Sequence, residues 1–187
     1  MRHRFIDLLE QSPVIPAVKA EAALPCALAC ESRVLFLLGG DLLTIRRWIS
    51  MVHEAGKLAV VHIDLVGGLA PKEVAVDWLQ QQGADGIIST RPHLIRRGRE
   101  LGMLTVLRVF AIDSKAVSNL GKETGMGMPD LIEVLPGTIY RVIARLSREL
   151  PVPLIAGGLL ADKADVTAAL SAGALCVSAS DESLWAL

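Results

Sequence analysis

The chain has 187 residues, of which 52% are hydrophobic, 21% charged and only 4% aromatic, and its formal net charge is −1. That length holds one domain with a substantial core and is too short for two of ordinary size. A mean hydropathy of +0.46 raises the membrane question, but no apolar run approaches the roughly 18 residues of a spanning helix. Near-neutral charge with few aromatics also excludes a globally basic nucleic-acid binder.

Arg2, Arg4, Asp7 and Glu10 scatter charge through the first residues, so no leader segment is expected there. Short runs rich in Val, Ile and Leu then recur. They read as strands at 14–18, 34–38, 58–63, 86–88, 105–109, 131–135, 154–156 and 175–177. Several are continuously apolar rather than alternating, as in parallel strands covered on both faces. Between them the spacing is helical. In the clearest case Leu42, Ile45, Ile49, Val52 and Ala55 share one side with Trp48 adjoining. Asp41 is the expected N-cap of that helix and Gly56 lies just past its end. Gly83, Gly102 and Gly173 close further helical patterns, Pro71 and Pro92 stand near helix starts, and Asp162 is the expected cap of a helix over 163–172. Links are short and no interdomain linker is visible, so residues 1–187 read as a single domain.

Eight strands alternating with helices predict an α/β fold, a compact (β/α)8 TIM-type barrel of parallel strands with short helices. At about 23 residues per unit the chain is lean for that architecture, and a doubly wound open sheet is the structural alternative. The barrel is preferred because the last two units carry a phosphate-site pattern typical of it.

In such a barrel the strand C-termini converge on one mouth, where ligands bind. Lys19 follows the first strand, His62 and Asp64 end the third, Ser89 and Arg91 end the fourth, Arg108 is late in the fifth and Glu133 lies in the sixth. Residues i and i+2 share a strand face, so His62 with Asp64, and Ser89 with Arg91, are expected to point together. Glu133 is bracketed by Leu131, Ile132, Val134 and Leu135, so it must be paired, solvated at the mouth or used by a ligand. Gly157 and Gly158 after the seventh strand, with Ser178 and Ser180 after the eighth, sit where barrels hold phosphate. Paired glycines there let backbone amides approach an anion closely. The whole set suits a small phosphorylated polyol, with Asp64 and Glu133 accepting from hydroxyls while Lys19 and an arginine balance the phosphate. Two other readings stand beside it. The same residues would make a structural charge network, and His62 beside Asp64 would make an acid–base pair for a small phosphosugar enzyme.

The remaining features read as structural. Cys26, Cys30 and Cys176 lack zinc-ligand spacing and are read as core residues, so no metal or cofactor is expected. Three cysteines form no closed disulfide set, which makes a reducing cytoplasm the expected compartment. Gly39-Gly40 precedes a helix but lacks the Lys-Ser/Thr of a P-loop. His3, His53 and His93 read as surface residues, and Gly125-Met126-Gly127-Met128-Pro129 as a flexible connector. Arg96, Arg97 and Arg99, with Arg91 and His93 nearby, form a basic cluster able to touch RNA phosphates; Arg141, Arg145 and Arg148 form a second stripe.

Taken in order, several segments resemble the glycerol-3-phosphate-responsive antiterminator family, bacterial regulators of glycerol uptake operons. They are Pro16-Ala17-Val18-Lys19, Phe36-Leu37-Leu38-Gly39-Gly40, His62-Ile63-Asp64-Leu65 with Gly68-Leu69, and Asp85-Gly86-Ile87-Ile88-Ser89-Thr90-Arg91. Ile132-Glu133-Val134-Leu135-Pro136-Gly137, Ile155-Ala156-Gly157-Gly158-Leu159, Val177-Ser178-Ala179-Ser180 and Leu184-Trp185 follow, so the likeness covers nearly the whole chain. The resemblance implies a non-catalytic barrel that binds glycerol 3-phosphate and an mRNA leader and prevents premature termination of transcription. It implies a ligand set of Lys19, Asp64, Arg91, Arg108, Glu133, Gly157, Gly158, Ser178 and Ser180. The RNA face is expected on the Arg96–Arg99 helix, and burial gained by a lean barrel would favour a homodimer.

Overall fold

The computed structural model of the chain describes residues 2–113 and 128–187. Its eight strands are β1 (Val14–Val18), β2 (Val34–Leu37), β3 (Leu58–His62), β4 (Gly86–Ser89), β5 (Leu104–Phe110), β6 (Leu131–Leu135), β7 (Leu154–Gly157) and β8 (Cys176–Ala179). All neighbours are parallel and follow chain order, with β8 pairing back onto β1, so the sheet is a closed barrel. The expected barrel is present and the open-sheet alternative is excluded. Among the described residues the helices are α1 (Arg2–Gln11), α2 (Leu24–Ala29), α3 (Ile45–Glu54), α4 (Glu73–Gln81), α5 (Pro92–Glu100), α6 (Tyr140–Glu149) and α7 (Lys163–Ser171).

Strand alternation divides the core into two parts. Val61, Ile87, Leu107, Val134, Ala156 and Val177 point outward and pack against the helices. Ile15, Phe36, Val60, Ile88, Val106, Leu131, Ile155 and Cys176 point inward and fill the barrel. By the period of two, the residues two places beyond them (His62, Arg108, Glu133, Gly157 and Ser178) also face the axis, one layer nearer the mouth. The barrel is therefore apolar at the N-terminal ends of its strands and polar at the C-terminal ends.

Helix α1 had no counterpart among the expected elements. Its Phe5 and Leu9 join the interior cluster beside Val34, Leu104 and Leu131, residues that begin their strands. The helix thus plugs the end opposite the mouth. Phe5, Leu8 and Leu9 carry the i, i+3, i+4 signal for it, within a segment otherwise full of charge.

Two expectations are corrected. Asp41 does not cap α3, which begins at Ile45. Its Oδ1 instead accepts from the Leu43 and Thr44 backbone N–H groups and from Thr44 Oγ1, making a turn one step upstream. That turn leaves Leu42 at the surface rather than on the buried helix face. Cys26 is exposed and Cys30 half-buried, so only Cys176 is a core cysteine. The helix-closing glycines behave as expected: Gly56, Gly83, Gly102 and Gly173 all have φ between +71° and +98°. Asp162 caps α7 by accepting from Asp165 N at 2.9 Å. His53 and His93 are exposed, Met128 is half-buried, and residues 125–127 of the supposed connector lie outside the described residues.

Candidate functional site at the barrel mouth

A cavity of about 300 Å³ opens at the strand C-termini on the β5–β8–β1 side. Lys19, Arg108, Glu133, Gly158, Ser178 and Ser180, all expected site residues, line it. Its rim is completed by apolar groups, chiefly Phe110, Leu135 and Leu159, and by Asp181.

The wall of this cavity rests on one buried carboxylate. Arg108 and Glu133 are register partners on β5 and β6, both facing the axis. Arg108 Nε donates to Glu133 Oε2 at 2.5 Å, and Ser178 Oγ donates to Glu133 Oε1 at 2.5 Å. Glu133 is fully buried, and a carboxylate in that position is stable only when compensated and hydrogen-bonded, as it is here. Each Glu133 oxygen accepts one of these bonds, so the carboxylate orients Arg108 and Ser178. Among the described residues no acceptor faces the two terminal nitrogens of Arg108, so its donor fork is left for the cavity.

Gly157 explains how Glu133 on β6 reaches Ser178 on β8 across the intervening strand. A Cβ on Gly157 would lie 2.6 Å from Ser178 Oγ and 2.7 Å from Glu133 Oε1. The glycine leaves the space that the carboxylate occupies. Gly158, with φ +75°, turns the chain toward the cavity, and its carbonyl accepts from Gly137 N. On the β8 side, Asp181 Oδ1 accepts from Ser183 N at 2.9 Å and from Ser183 Oγ at 2.7 Å, occupying the start of the single-turn helix Glu182–Leu184. The anion donors left on this side are the Ser178–Ser180 segment and the Gly158 turn.

The other expected residues gather on the β3–β4 side. Asp64 sits in the short turn Ile63–Leu65 after β3 and clasps the β4–α5 turn. Its Oδ2 accepts from Ser89 Oγ (2.9 Å), Thr90 N (2.8 Å) and Thr90 Oγ1 (3.3 Å). Ser89 Oγ in turn accepts from Arg91 N, and Arg91 Nε stands 3.4 Å from Asp64 Oδ1. Ile88 faces inward, so Ser89 takes the outward parity at the end of β4, and Ser89 and Arg91 tie the mouth to α5 through Asp64.

His62 lies between the two groups. It is buried, and its Nδ1 is 4.0 Å from Asp64 Oδ2. Burial, and next the Arg108 charge, push its imidazole down to about 4, against the smaller opposing effect of Asp64, so the ring is neutral at pH 7. Cys176, one layer deeper, has its thiol pushed far up by burial and by the Glu133 charge and is inert.

The arginines expected to meet RNA are engaged within the protein. Arg97 donates to Asp77 at 2.5 Å and to Glu100 at 3.0 Å; Arg96 lies 3.5 Å from Glu73; Arg99 donates to the Met128 carbonyl. On α6, Arg145 lies 3.9 Å from Glu149. No group of three or more His, Cys, Asp or Glu that could hold a metal occurs among the described residues, and no helix among them is long and apolar enough to cross a membrane.

Comparison with known proteins places this architecture among relatives. The uncharacterized protein YgcP of Escherichia coli (strain K12) is 37% identical over 184 residues, spanning 98% of this chain and 96% of its own. A crystal structure of a glycerol uptake operon antiterminator regulatory protein from Listeria monocytogenes superposes with a TM-score of 0.88 at 31% identity, over 92% of this chain and 94% of that one. A glycerol uptake operon antiterminator-related protein from Thermotoga maritima gives 0.84 at 31% identity, over 93% and 98%. The YdjI aldolase of Escherichia coli, at 14% identity and a TM-score of 0.67, shares the fold alone. The model of the glycerol-3-phosphate responsive antiterminator family matches residues 14–185, from the first residue of β1 to the buried Trp185, and the chain belongs to that family.

Proposed function

We propose that this protein senses glycerol 3-phosphate at the barrel mouth and, according to its occupancy, binds an mRNA leader to regulate transcription of glycerol uptake genes. The observation that carries the ligand assignment is the 300 Å³ cavity, in which Lys19, the Arg108 fork, Ser178, Ser180 and the Gly158 turn surround one space. Two cations and short-range donors suit a phosphate ester, and the volume accommodates a three-carbon phosphate. The buried carboxylate of the cavity is committed, with Glu133 held by Arg108 and Ser178. That commitment supports binding rather than catalysis, in a bacterial cytoplasm.

Sensing requires that ligand and RNA each bind one state of the protein better than the other. Asp64 joins the mouth to the Ser89–Arg91 turn that leads into α5, the helix that carries Arg96, Arg97 and Arg99. RNA phosphates reaching that face would replace the acidic partners that now hold Arg96 and Arg97. The direct test is a gel shift of the leader RNA with and without glycerol 3-phosphate. The expected result is a ligand-dependent shift that weakens with salt. Absence of any shift under both conditions would remove RNA from the proposal.

A further inference from the structure

The two cysteines that the barrel leaves out of its core open onto a second space. A groove of about 400 Å³ runs between the Gln11–Pro13 link, α2 and the C-terminal residues Trp185–Leu187, and Cys26 and Cys30 both line it. It shares no residue with the mouth cavity. Cys26 is exposed and Cys30 half-buried, so exposure alone would make Cys26 the reactive thiol. Their neighbours point the other way. Lys57, the residue before β3, is only 7% exposed. Its Nζ donates to the Ser32 carbonyl at 2.7 Å and to the Cys30 carbonyl, and stands 4.0 Å from Cys30 Sγ. No carboxylate among the described residues pairs with this ammonium. Its contacts are two neutral carbonyls and one thiol, so Cys30 Sγ is the contact able to give it a counter-charge. Burial lowers the Lys57 pKa, a charge on Cys30 opposes that, and the Arg33 charge adds to it. The Ala27 carbonyl accepts from the neutral thiol at 3.0 Å and fixes the sulfur beside Nζ. The charge beside Cys26 has the wrong sign: desolvation, and next the Glu182 carboxylate, push its thiol up.

We infer that Cys30 is a thiol-exchange site that takes a low-molecular-weight disulfide in this groove and reacts ahead of the more exposed Cys26. The thiolate is the attacking form of a cysteine, and a neighbouring ammonium favours it. The Cys30 proton passes to solvent, and the charge left on sulfur faces Lys57. Sγ attacks one sulfur of the small disulfide. A new S–S bond forms as the old one breaks, and the other half leaves as a thiolate that takes a proton from solvent. Two electrons pass from Cys30 to the departing thiol, so the disulfide is itself the oxidant. Excess small thiol runs the step backward, so occupancy follows the ratio of small disulfide to small thiol. The groove is of a size that holds such a molecule. The site is independent of the mouth and of the ligand read there.

The test uses the full chain at neutral pH, treated with oxidised glutathione and, separately, with substoichiometric iodoacetamide, and locates the modified cysteine by peptide mass mapping. The expected result is one glutathione adduct, on Cys30 and removed by dithiothreitol, with Cys30 alkylated at least about tenfold faster than Cys26. Cys26→Ser should keep the adduct and Cys30→Ser should abolish it. Lys57→Met, which removes the charge and keeps an unbranched side chain, should bring the Cys30 rate within about twofold of the Cys26 rate. The buried Cys176 guards that comparison, because it labels only if the barrel opens; should Lys57→Met open it, the rates of the native protein decide. Absence of a glutathione adduct, labelling of Cys26 first or at an equal rate, or a closed Lys57→Met with an unchanged Cys30 rate overturns the inference.

Discussion

Gly157→Ala adds one methyl group to the barrel wall, and its cost follows from two distances. The new Cβ would sit 2.6 Å from Ser178 Oγ and 2.7 Å from Glu133 Oε1, each far inside van der Waals contact. Backbone strain is not involved, because Gly157 is an ordinary strand residue without a positive φ. Both contacted atoms are ends of side chains, which normally yield cheaply. Here they cannot: Glu133 is fully buried and held at its other oxygen by Arg108, and Ser178 is buried in β8. Either the strands spread or the Ser178–Glu133 hydrogen bond breaks. Overpacking costs about 1–3 kcal/mol, and loss of a hydrogen bond to a buried charge about 1.5–3 kcal/mol. A destabilisation of about 1–3 kcal/mol lowers the melting temperature by roughly 2–12 °C in a chain of this size. Thermal melts of Gly157→Ala, Ser178→Gly and the double variant measure it. Removing the Ser178 side chain takes away the nearer clash, so the alanine should cost markedly less in that background. A single variant melting within about 1 °C of the native protein would refute the reasoning.

Other outcomes follow from the same network. Glu133→Ala leaves the Arg108 guanidinium buried without its counter-charge and should cost about 3–5 kcal/mol in denaturant unfolding, with loss of glycerol 3-phosphate binding; a native-like midpoint would show that the pair is not coupled. His62 titrates near 4 when folded and near its ordinary 6.5 when unfolded, so the unfolded chain binds the extra proton between those values. Its contribution is present above about pH 6.5 and is lost as pH falls toward 4, up to about 3 kcal/mol. His62→Gln should flatten that part of the stability profile, and an unchanged slope would assign it elsewhere. Asp64→Ala strands the buried Ser89 hydroxyl and the Thr90 N–H, costing about 1–3 kcal/mol and raising hydrogen exchange first at the β4–α5 turn. Reversing Arg96, Arg97 and Arg99 to Glu should weaken leader-RNA binding and reduce its salt dependence, whereas reversing Arg141 and Arg148 should not; the opposite pattern would move the RNA face to α6.

The barrel was legible because its signals are local. Continuous apolar runs mark strands covered on both faces, and the glycines that close α3, α4, α5 and α7 all take the left-handed conformation they imply. Lys19, Arg108, Glu133, Gly158, Ser178 and Ser180 could be collected from strand ends alone, since topology brings those ends together. What stayed hidden depends on facing. Ser89 follows the inward-facing Ile88 and so takes the opposite parity, with its hydroxyl on Asp64. Gly157 and Glu133 are 24 positions apart, and no periodicity links a missing Cβ on one strand to a carboxylate crossing it from the next. Asp41 resembled a cap because the same side chain serves a turn as readily as a helix start. Helix α1 escaped notice since its apolar stripe is short and the charges around it dominate the composition.

Closure of β8 onto β1 has a consequence for the life of the molecule before it is complete. The cavity draws Lys19 from one end of the polypeptide and Ser178 and Ser180 from the other. During synthesis the early strands must wait for nearly all the rest to emerge before their last edge is covered, the slowest kind of contact to make and the most exposed to misassociation. A chain stalled before residue 176 has neither a sealed sheet nor the serine side of the pocket. The pocket and the closed sheet therefore form together, once β8 has been made.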